Sequence, residues 1–161
     1  MYNRAKAVDY AMEWAHKRNP RYMDFSELGG DCTSFISQCL FAGTGNTMNY
    51  TPTLGWYYNS ANDRTPAWSG VQYLYRFLTG NKGAGPYAVE TDIDSLLAGD
   101  IIQLGDENNH FYHSLFITQA ETSPSMENIL INTHTYDASL RHLNTYYIEN
   151  IRFLHIAGIR K

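Results

Sequence analysis

The apolar residues of this chain follow two different periods, and the change between them near Leu97 constrains the fold more than any other feature. Before Leu97, apolar residues recur with the spacing of amphipathic helices. After it, short segments rich in β-branched and aromatic residues are separated by turn residues, which is typical of an antiparallel meander. Helices followed by strands indicate an α+β fold in which N-terminal helices pack on a C-terminal antiparallel sheet.

The same periods predict the individual elements. We expect three helices, at residues 4–17, 32–43 and 66–78, and four strands, at residues 101–104, 112–118, 128–134 and 151–159. Residues 44–66 show no period and are rich in Asn, Thr, Gly and Pro, so they are predicted to form a long loop. A loop of this length in a compact domain is usually functional.

The composition fits one domain. With 161 residues, 43% of them hydrophobic, the chain can bury a substantial core, and we predict a single domain over residues 1–161. The formal net charge of -4 gives no attraction to phosphate, so we expect no nucleic-acid partner. No apolar run approaches the roughly 20 residues that span a bilayer, so no membrane span is predicted. The first residues show no secretory signal.

Cys32 is the residue best placed to act as a nucleophile. It follows Gly29-Gly30-Asp31 at the predicted start of the second helix. Unpaired N–H groups and the helix dipole at such a position are expected to lower the pKa of its thiol and to hold an oxyanion. Cys39 lies in the apolar stripe of the same helix, about 10 Å further along the axis, so we interpret it as a packing residue that forms no disulfide with Cys32.

A cysteine hydrolase also needs a base and a group that orients the base. His113 opens a predicted strand directly after a polar loop, where an imidazole can project into a cleft and pair with a thiol. On the next predicted strand, alternation places Asn132 and His134 on one face, opposite Ile131 and Thr133. Either could orient His113, and we prefer His134.

These residues lie in four segments with a recognisable pattern, namely GGDCTSFISQCL, GDIIQL, HSLFIT and ILINTHTYD. Together they resemble the bacterial putative amidase domain family, a branch of the NlpC-like and CHAP-like papain-fold cell-wall hydrolases, and the similarity covers nearly the whole chain. The resemblance implies a papain-like core with Cys32 heading a helix and His113 on the second core strand. It implies His134 as the third catalytic residue, while Asn132 stays possible by analogy with CHAP-like members. An extracellular or cell-wall location is also implied.

We therefore predict a cysteine-type amidase or peptidase that acts on peptidoglycan or a peptide and uses neither a metal nor another cofactor. The scissile bond would join the lactyl group to the stem peptide or lie within that peptide. Asp31, Trp56 and Asn132 are predicted to contact the substrate, Asp31 beside the oxyanion and Trp56 by stacking on a sugar ring or lining the groove. The sequence leaves the oligomeric state open.

Two other functions fit parts of the sequence. A zinc hydrolase could use His110, His113 and His134 as ligands, although H-x-x-H in a loop is weaker than the helical H-E-x-x-H signature. A binding module for the cell wall or a glycan could use the aromatic residues of segment 50–58 without catalysis. Metal analysis tests the first alternative, and labelling of Cys32 by a thiol reagent at mildly acidic pH tests the second.

Overall fold

The computed structural model describes residues 1–161 and consists of helices in the first half and a sheet that is mostly in the second half. The helices are α1 (Arg4–Trp14), α2 (Cys32–Gly43), α3 (Pro66–Ser69) and α4 (Val71–Gly80). The strands are β1 (Tyr58–Ser60), β2 (Asp63–Arg64), β3 (Gly85–Thr91), β4 (Ile101–Gly105), β5 (Phe111–Gln119), β6 (Leu130–Thr133), β7 (Ala138–His142) and β8 (Asn150–Arg160). Short 3-10 turns cover Ile93–Ser95 and Leu143–Thr145.

Strands β3 to β8 form one six-stranded antiparallel sheet in the order β3-β8-β4-β5-β6-β7. Strands β1 and β2 form a separate hairpin. The predicted α+β class and antiparallel sheet are therefore confirmed. None of the helices is long and apolar enough to cross a bilayer.

The predicted helices differ from the observed ones at their ends. The first ends at Trp14, three residues before the predicted end, and its start is capped by the Asn3 side chain, which accepts a hydrogen bond from the Lys6 N–H. The second has the predicted bounds. The third is divided into α3 and α4 by Gly70, whose extended backbone (φ −111°, ψ 130°) ends the first and precedes the second. A Cβ at Gly70 would lie 2.8 Å from the Tyr73 ring, so a larger residue there would displace that ring.

The predictions missed strands at both edges of the sheet. β3 pairs only with β8, and β7 pairs only with β6. β7 contains the polar residues Ser139, Arg141 and His142. An edge strand is partly exposed and need not be apolar, so its sequence lacks the apolar pattern of a central strand. The segment predicted as a loop, 44–66, also contains β1 and β2. Patterns of burial identify central strands more readily than edge strands.

The sheet carries a hydrophobic cluster on each face. Phe116 of β5 packs with Phe35, Ile36 and Leu40 of α2 in the larger cluster. Leu115 packs in the smaller cluster, which contains residues of β4 and β6 but none of the helices. Because side chains alternate along a strand, β5 directs Ser114 toward the helices and His113 toward the opposite face. This alternation positions the candidate site.

Candidate active site

Cys32 is the first residue of α2 and is held against β5. Gly29 and Gly30 precede it with φ of 95° and 106°, a left-handed conformation that glycine adopts without strain. The Cys32 sulfur lies 3.8 Å from the Thr33 hydroxyl, which in turn is 3.0 Å from the Ser114 hydroxyl. The backbone of Ser114 also lies close to the Cys32 sulfur and favours its ionised form. The start of α2 is thus fixed to the strand that carries His113.

The thiol of Cys32 is buried in a polar environment, and this decides its protonation. Burial raises the pKa of Cys32, while the hydrogen bonds with Ser114 and Thr33 oppose this increase only in part. The negative charge of Asp31 raises the pKa further. The expected lowering of the Cys32 pKa by the helix start is therefore wrong, because desolvation outweighs it. At neutral pH Cys32 is a thiol rather than a thiolate.

The start of α2 has free donors. Asp31 occupies the N-cap position, yet its side chain makes no capping hydrogen bond. The first backbone bond of the helix runs from Phe35 N–H to Asp31 O, and the N–H groups before it have no acceptor within the helix. These unpaired donors surround Cys32 and could stabilise negative charge that develops on an attacked carbonyl oxygen.

His113 lies at the start of β5, and its ring makes no hydrogen bond with the protein. Burial lowers the pKa of His113 to about 4, and the positive charge of Arg141 contributes to the decrease. The ring is therefore neutral at pH 7 and can accept a proton. It makes no hydrogen bond with Cys32, although the next residue, Ser114, contacts the Cys32 sulfur through its backbone. Transfer of the Cys32 proton to His113 thus requires either that the imidazole turns toward the Cys32 sulfur or that a water lies between the two.

His113 lines a cleft of about 430 Å³. The cleft is lined by Leu104, Tyr112, His113, Thr135, Tyr136, Arg141, Tyr146 and Tyr147. Tyr136 and Tyr147 are 89% and 81% exposed. Thr135 connects the cleft to the Cys32 turn, because its hydroxyl accepts a hydrogen bond of 3.3 Å from the Asp31 N–H. An aromatic cleft with one histidine therefore lies beside the start of α2.

The ring of His134 is bonded within the core and not to His113. Its Nδ1 lies 2.6 Å from Asp31 Oδ2, its Nε2 lies 2.7 Å from the carbonyl oxygen of Trp14, and its ring stacks on Phe35 at 4.0 Å. Each ring nitrogen therefore faces a partner inside the protein. Neither nitrogen of His134 is free to orient His113. A catalytic role of His134 stays a prediction, without an orienting contact in this structure.

A comparison with known protein families identifies the family of this chain. The model of the family described as "Putative amidase domain" matches residues 1–156. The chain belongs to this family. It is 34% identical over 164 residues to "Uncharacterized protein YhbB" of Bacillus subtilis (strain 168), and the alignment covers 96% of the chain and 50% of the relative. The chain thus spans about half the length of this relative. No solved structure matches, so no structural neighbour supports the predicted papain-like arrangement.

Two of the predicted substrate contacts are structural residues of this amidase domain. The Asp31 carboxylate is buried, where it accepts a hydrogen bond of 2.9 Å from the Phe25 N–H in addition to its contact with His134. Asn132 is also buried, and its amide donates to the carbonyl oxygen of Ala11 at 2.9 Å. Both side chains are thus engaged within the core, and their contact with a substrate stays a prediction.

Trp56 is the third predicted substrate contact, and it too belongs to the core. It is fully buried, its Nε1 donates to the Ser37 hydroxyl at 3.0 Å, and its ring lies 5.0 Å from that of Trp68. An indole has a single N–H donor, and Ser37 already accepts from it. Trp56 therefore stabilises the packing of segment 44–66 on α2 and is not available to a sugar ring.

The three histidines considered as zinc ligands do not come together. The side chain of His110 is 75% exposed and lies 3.6 Å from Asp106. His134 has both ring nitrogens engaged. No group of three metal-binding side chains is present in the chain. The residues therefore do not fit a zinc site.

Sequence reasoning missed most of the cleft. Arg141, Tyr146 and Tyr147 belong to the segment between the predicted third and fourth strands, to which no element was assigned. A signal was available, since tyrosines are concentrated on both sides of β7. Their meeting with His113 depends on the pairing of β6 with β5 and β7, which periodicity alone does not give.

Proposed function

We propose that this domain is a cysteine-dependent amide hydrolase in which Cys32 is the nucleophile and His113 the general base. The observation that carries the proposal is the contact between the Cys32 sulfur and the backbone of Ser114, the residue that follows His113. Membership of the amidase family supports amide hydrolysis. The unpaired donors at the start of α2 support attack on a carbonyl at this position.

The protonation states favour a base-assisted attack over a pre-formed ion pair. Cys32 is a neutral thiol and His113 a neutral imidazole at pH 7. As the sulfur bonds to the carbonyl carbon, His113 takes the thiol proton, directly or through a water. The oxyanion of the tetrahedral intermediate accepts hydrogen bonds from the N–H groups at the start of α2.

The remaining steps return the enzyme to its starting state. The C–N bond breaks, and the imidazolium gives its proton to the leaving amine. The acyl group is then bonded to Cys32 as a thioester. His113 takes a proton from water, the hydroxide oxygen bonds to the acyl carbon, and the C–S bond breaks. The products are an amine and a carboxylic acid, and the thiol recovers its proton.

The substrate that we propose is peptidoglycan, cleaved in or next to its stem peptide outside the cell or in the cell wall. The tyrosine-rich cleft is consistent with such a substrate, because exposed rings such as Tyr136 and Tyr147 can stack on sugars and peptide planes. A wall-binding module without catalysis could use the same rings. The two functions differ in whether Cys32 is needed for turnover.

Matched cysteine variants test the proposal. Cys32→Ala should reduce the release of amines from purified peptidoglycan by at least about a thousandfold, because the nucleophile is lost. Cys39→Ala is the control, since Cys39 is a fully buried cysteine two turns further along the same helix. Equal activity of the Cys32→Ala variant and the wild type would contradict the proposal. Wall binding without turnover in the wild type would identify a binding module.

A further inference from the structure

The cleft beside His113 contains one permanent positive charge, that of Arg141. No Asp or Glu is among the residues that line the cleft. No carboxylate of the chain lies within 4 Å of the Arg141 guanidinium, whereas Arg4 and Arg18 both have such partners. A partly buried arginine without an anion is uncommon, because guanidinium groups out of bulk water are usually paired.

The guanidinium of Arg141 is held in a fixed position. Its Nε donates to the Thr145 hydroxyl at 2.8 Å, and its Nη2 donates to the Thr145 carbonyl oxygen at 3.2 Å. Its central carbon lies 3.7 Å from the centre of the Tyr146 ring. The third nitrogen, Nη1, donates to no acceptor of the protein. An immobilised guanidinium with a free donor loses little entropy when it binds an anion.

The charge of Arg141 is also close enough to act on the proposed reaction centre. His113 and Arg141 line the same cleft, and the Arg141 charge lowers the pKa of the His113 ring. Tyr146 contacts both residues. Its ring centre lies 6.1 Å from that of His113, and the Arg141 guanidinium stacks on the same ring. A group bound by Arg141 would therefore lie in the same cleft as an amide that reaches His113.

We propose that Arg141 determines specificity by binding a free carboxylate of the substrate next to the cleaved amide. The inference rests on the proposed function and names its substrate class, namely peptides whose carboxylate is free and close to the scissile bond. Arginine suits this role because its planar donors match a carboxylate. The tyrosines of the cleft offer their rings to the peptide.

Binding can be measured separately from catalysis. The probes are N-acetyl-alanyl-alanine and its C-terminal amide, added to the full chain carrying Cys32→Ala so that turnover is blocked. We expect the free acid to shift the NMR signals of the His113 ring and to bind about tenfold to a hundredfold more tightly than the amide, the range of a charge-assisted hydrogen bond. Adding Arg141→Gln should abolish this difference. Equal binding of acid and amide before that change would overturn the proposal.

Hydrolysis provides the second measurement. Peptidoglycan fragments with a free or an amidated carboxylate beside the scissile bond are compared at about pH 8, where His113 is neutral in every variant. Arg141→Gln should raise KM for the free acid about tenfold to a hundredfold, with kcat and the amidated substrate little affected. Arg141→Lys should restore part of the loss, since the charge remains. Arg76→Gln is the control, because Arg76 is exposed, has no ion pair and lines a different cleft.

The outcomes separate the two proposals. A loss that is equal for free and amidated substrates would overturn carboxylate recognition and assign Arg141 a structural role. If the wild type hydrolyses neither substrate but binds the free acid through Arg141, the proposed hydrolase function fails while the carboxylate site is supported. An Arg141→Gln protein that does not fold is replaced by Arg141→Lys, for which an unchanged KM for the free acid would contradict recognition of the carboxylate by the planar guanidinium.

Discussion

His113 lies on β5 and His134 directly follows the neighbouring strand β6, yet the two side chains have different surroundings. His134 is 1% exposed and has an acceptor at each ring nitrogen, Asp31 at 2.6 Å and the Trp14 carbonyl oxygen at 2.7 Å. His113 faces a cleft and has no hydrogen-bond partner in the protein. A histidine with both nitrogens engaged contributes to folding, while one with free nitrogens can exchange a proton. We therefore assign His134 a role in the stability of the fold and His113 a role in the proposed chemistry.

The buried network of His134 also explains why the start of α2 is open. Asp31 stands at the N-cap position but directs its carboxylate to His134 and to the Phe25 N–H. Its side chain therefore does not cap the helix, and the donors around Cys32 remain unpaired. In this way a residue of the core leaves free donors at the candidate site.

The largest effect should follow from removal of His113. His113→Asn should reduce kcat for amide release from peptidoglycan by about a hundredfold to ten-thousandfold, because the general base is lost. The free energy of unfolding should change little, since the ring makes no hydrogen bond. His110→Asn, at an exposed position, is the control. Full activity of the His113→Asn variant would show that another group takes the proton.

The matching change at His134 should affect folding instead. His134→Ala should lower the free energy of unfolding by about 3 to 5 kcal/mol, because it leaves the Asp31 carboxylate buried without its closest partner. Urea denaturation measures this change. A loss under 1 kcal/mol, roughly that expected at an exposed site, would show that the contact with Asp31 has little energetic weight.

The pH dependence of activity should follow His113 at its acid end. Because the pKa of His113 is lowered to about 4, the ring remains neutral and able to act as a base down to that pH. The rate kcat/KM should therefore fall about tenfold for each pH unit below 4 and be unaffected by His113 between pH 5 and pH 7. An acid limb with its midpoint near 6.5, the ordinary pKa of histidine, would contradict the burial of His113.

The smallest effect concerns the contact that fixes α2 to β5. Thr33→Val removes the hydroxyl that lies 3.0 Å from the Ser114 hydroxyl and 3.8 Å from the Cys32 sulfur. We expect a loss of about 1 kcal/mol in the free energy of unfolding, the usual contribution of one hydrogen bond. Ser114→Ala should give a similar loss. A double variant with twice the single effect would show that the two hydroxyls act independently.

The sequence predicted the architecture better than the site. The helix that begins at Cys32 and the central strands β4, β5 and β6 follow from strong apolar periods, and the motifs around them led to the amidase family. Trp56 shows why the rest could not be predicted, since an aromatic residue in an irregular segment has no period to reveal its burial. His134 shows the same for polar residues, because its partners Asp31 and Trp14 are distant in the chain.

The most direct test of the central claim is the detection of an acyl group on Cys32. Hydroxylamine intercepts a thioester and converts its acyl group to a hydroxamate, so the intermediate need not accumulate. During digestion of peptidoglycan, the wild type and the Cys39→Ala variant should form the hydroxamate, and the Cys32→Ala variant should form none. Amide hydrolysis that yields no hydroxamate and continues in the Cys32→Ala variant would contradict nucleophilic catalysis by Cys32.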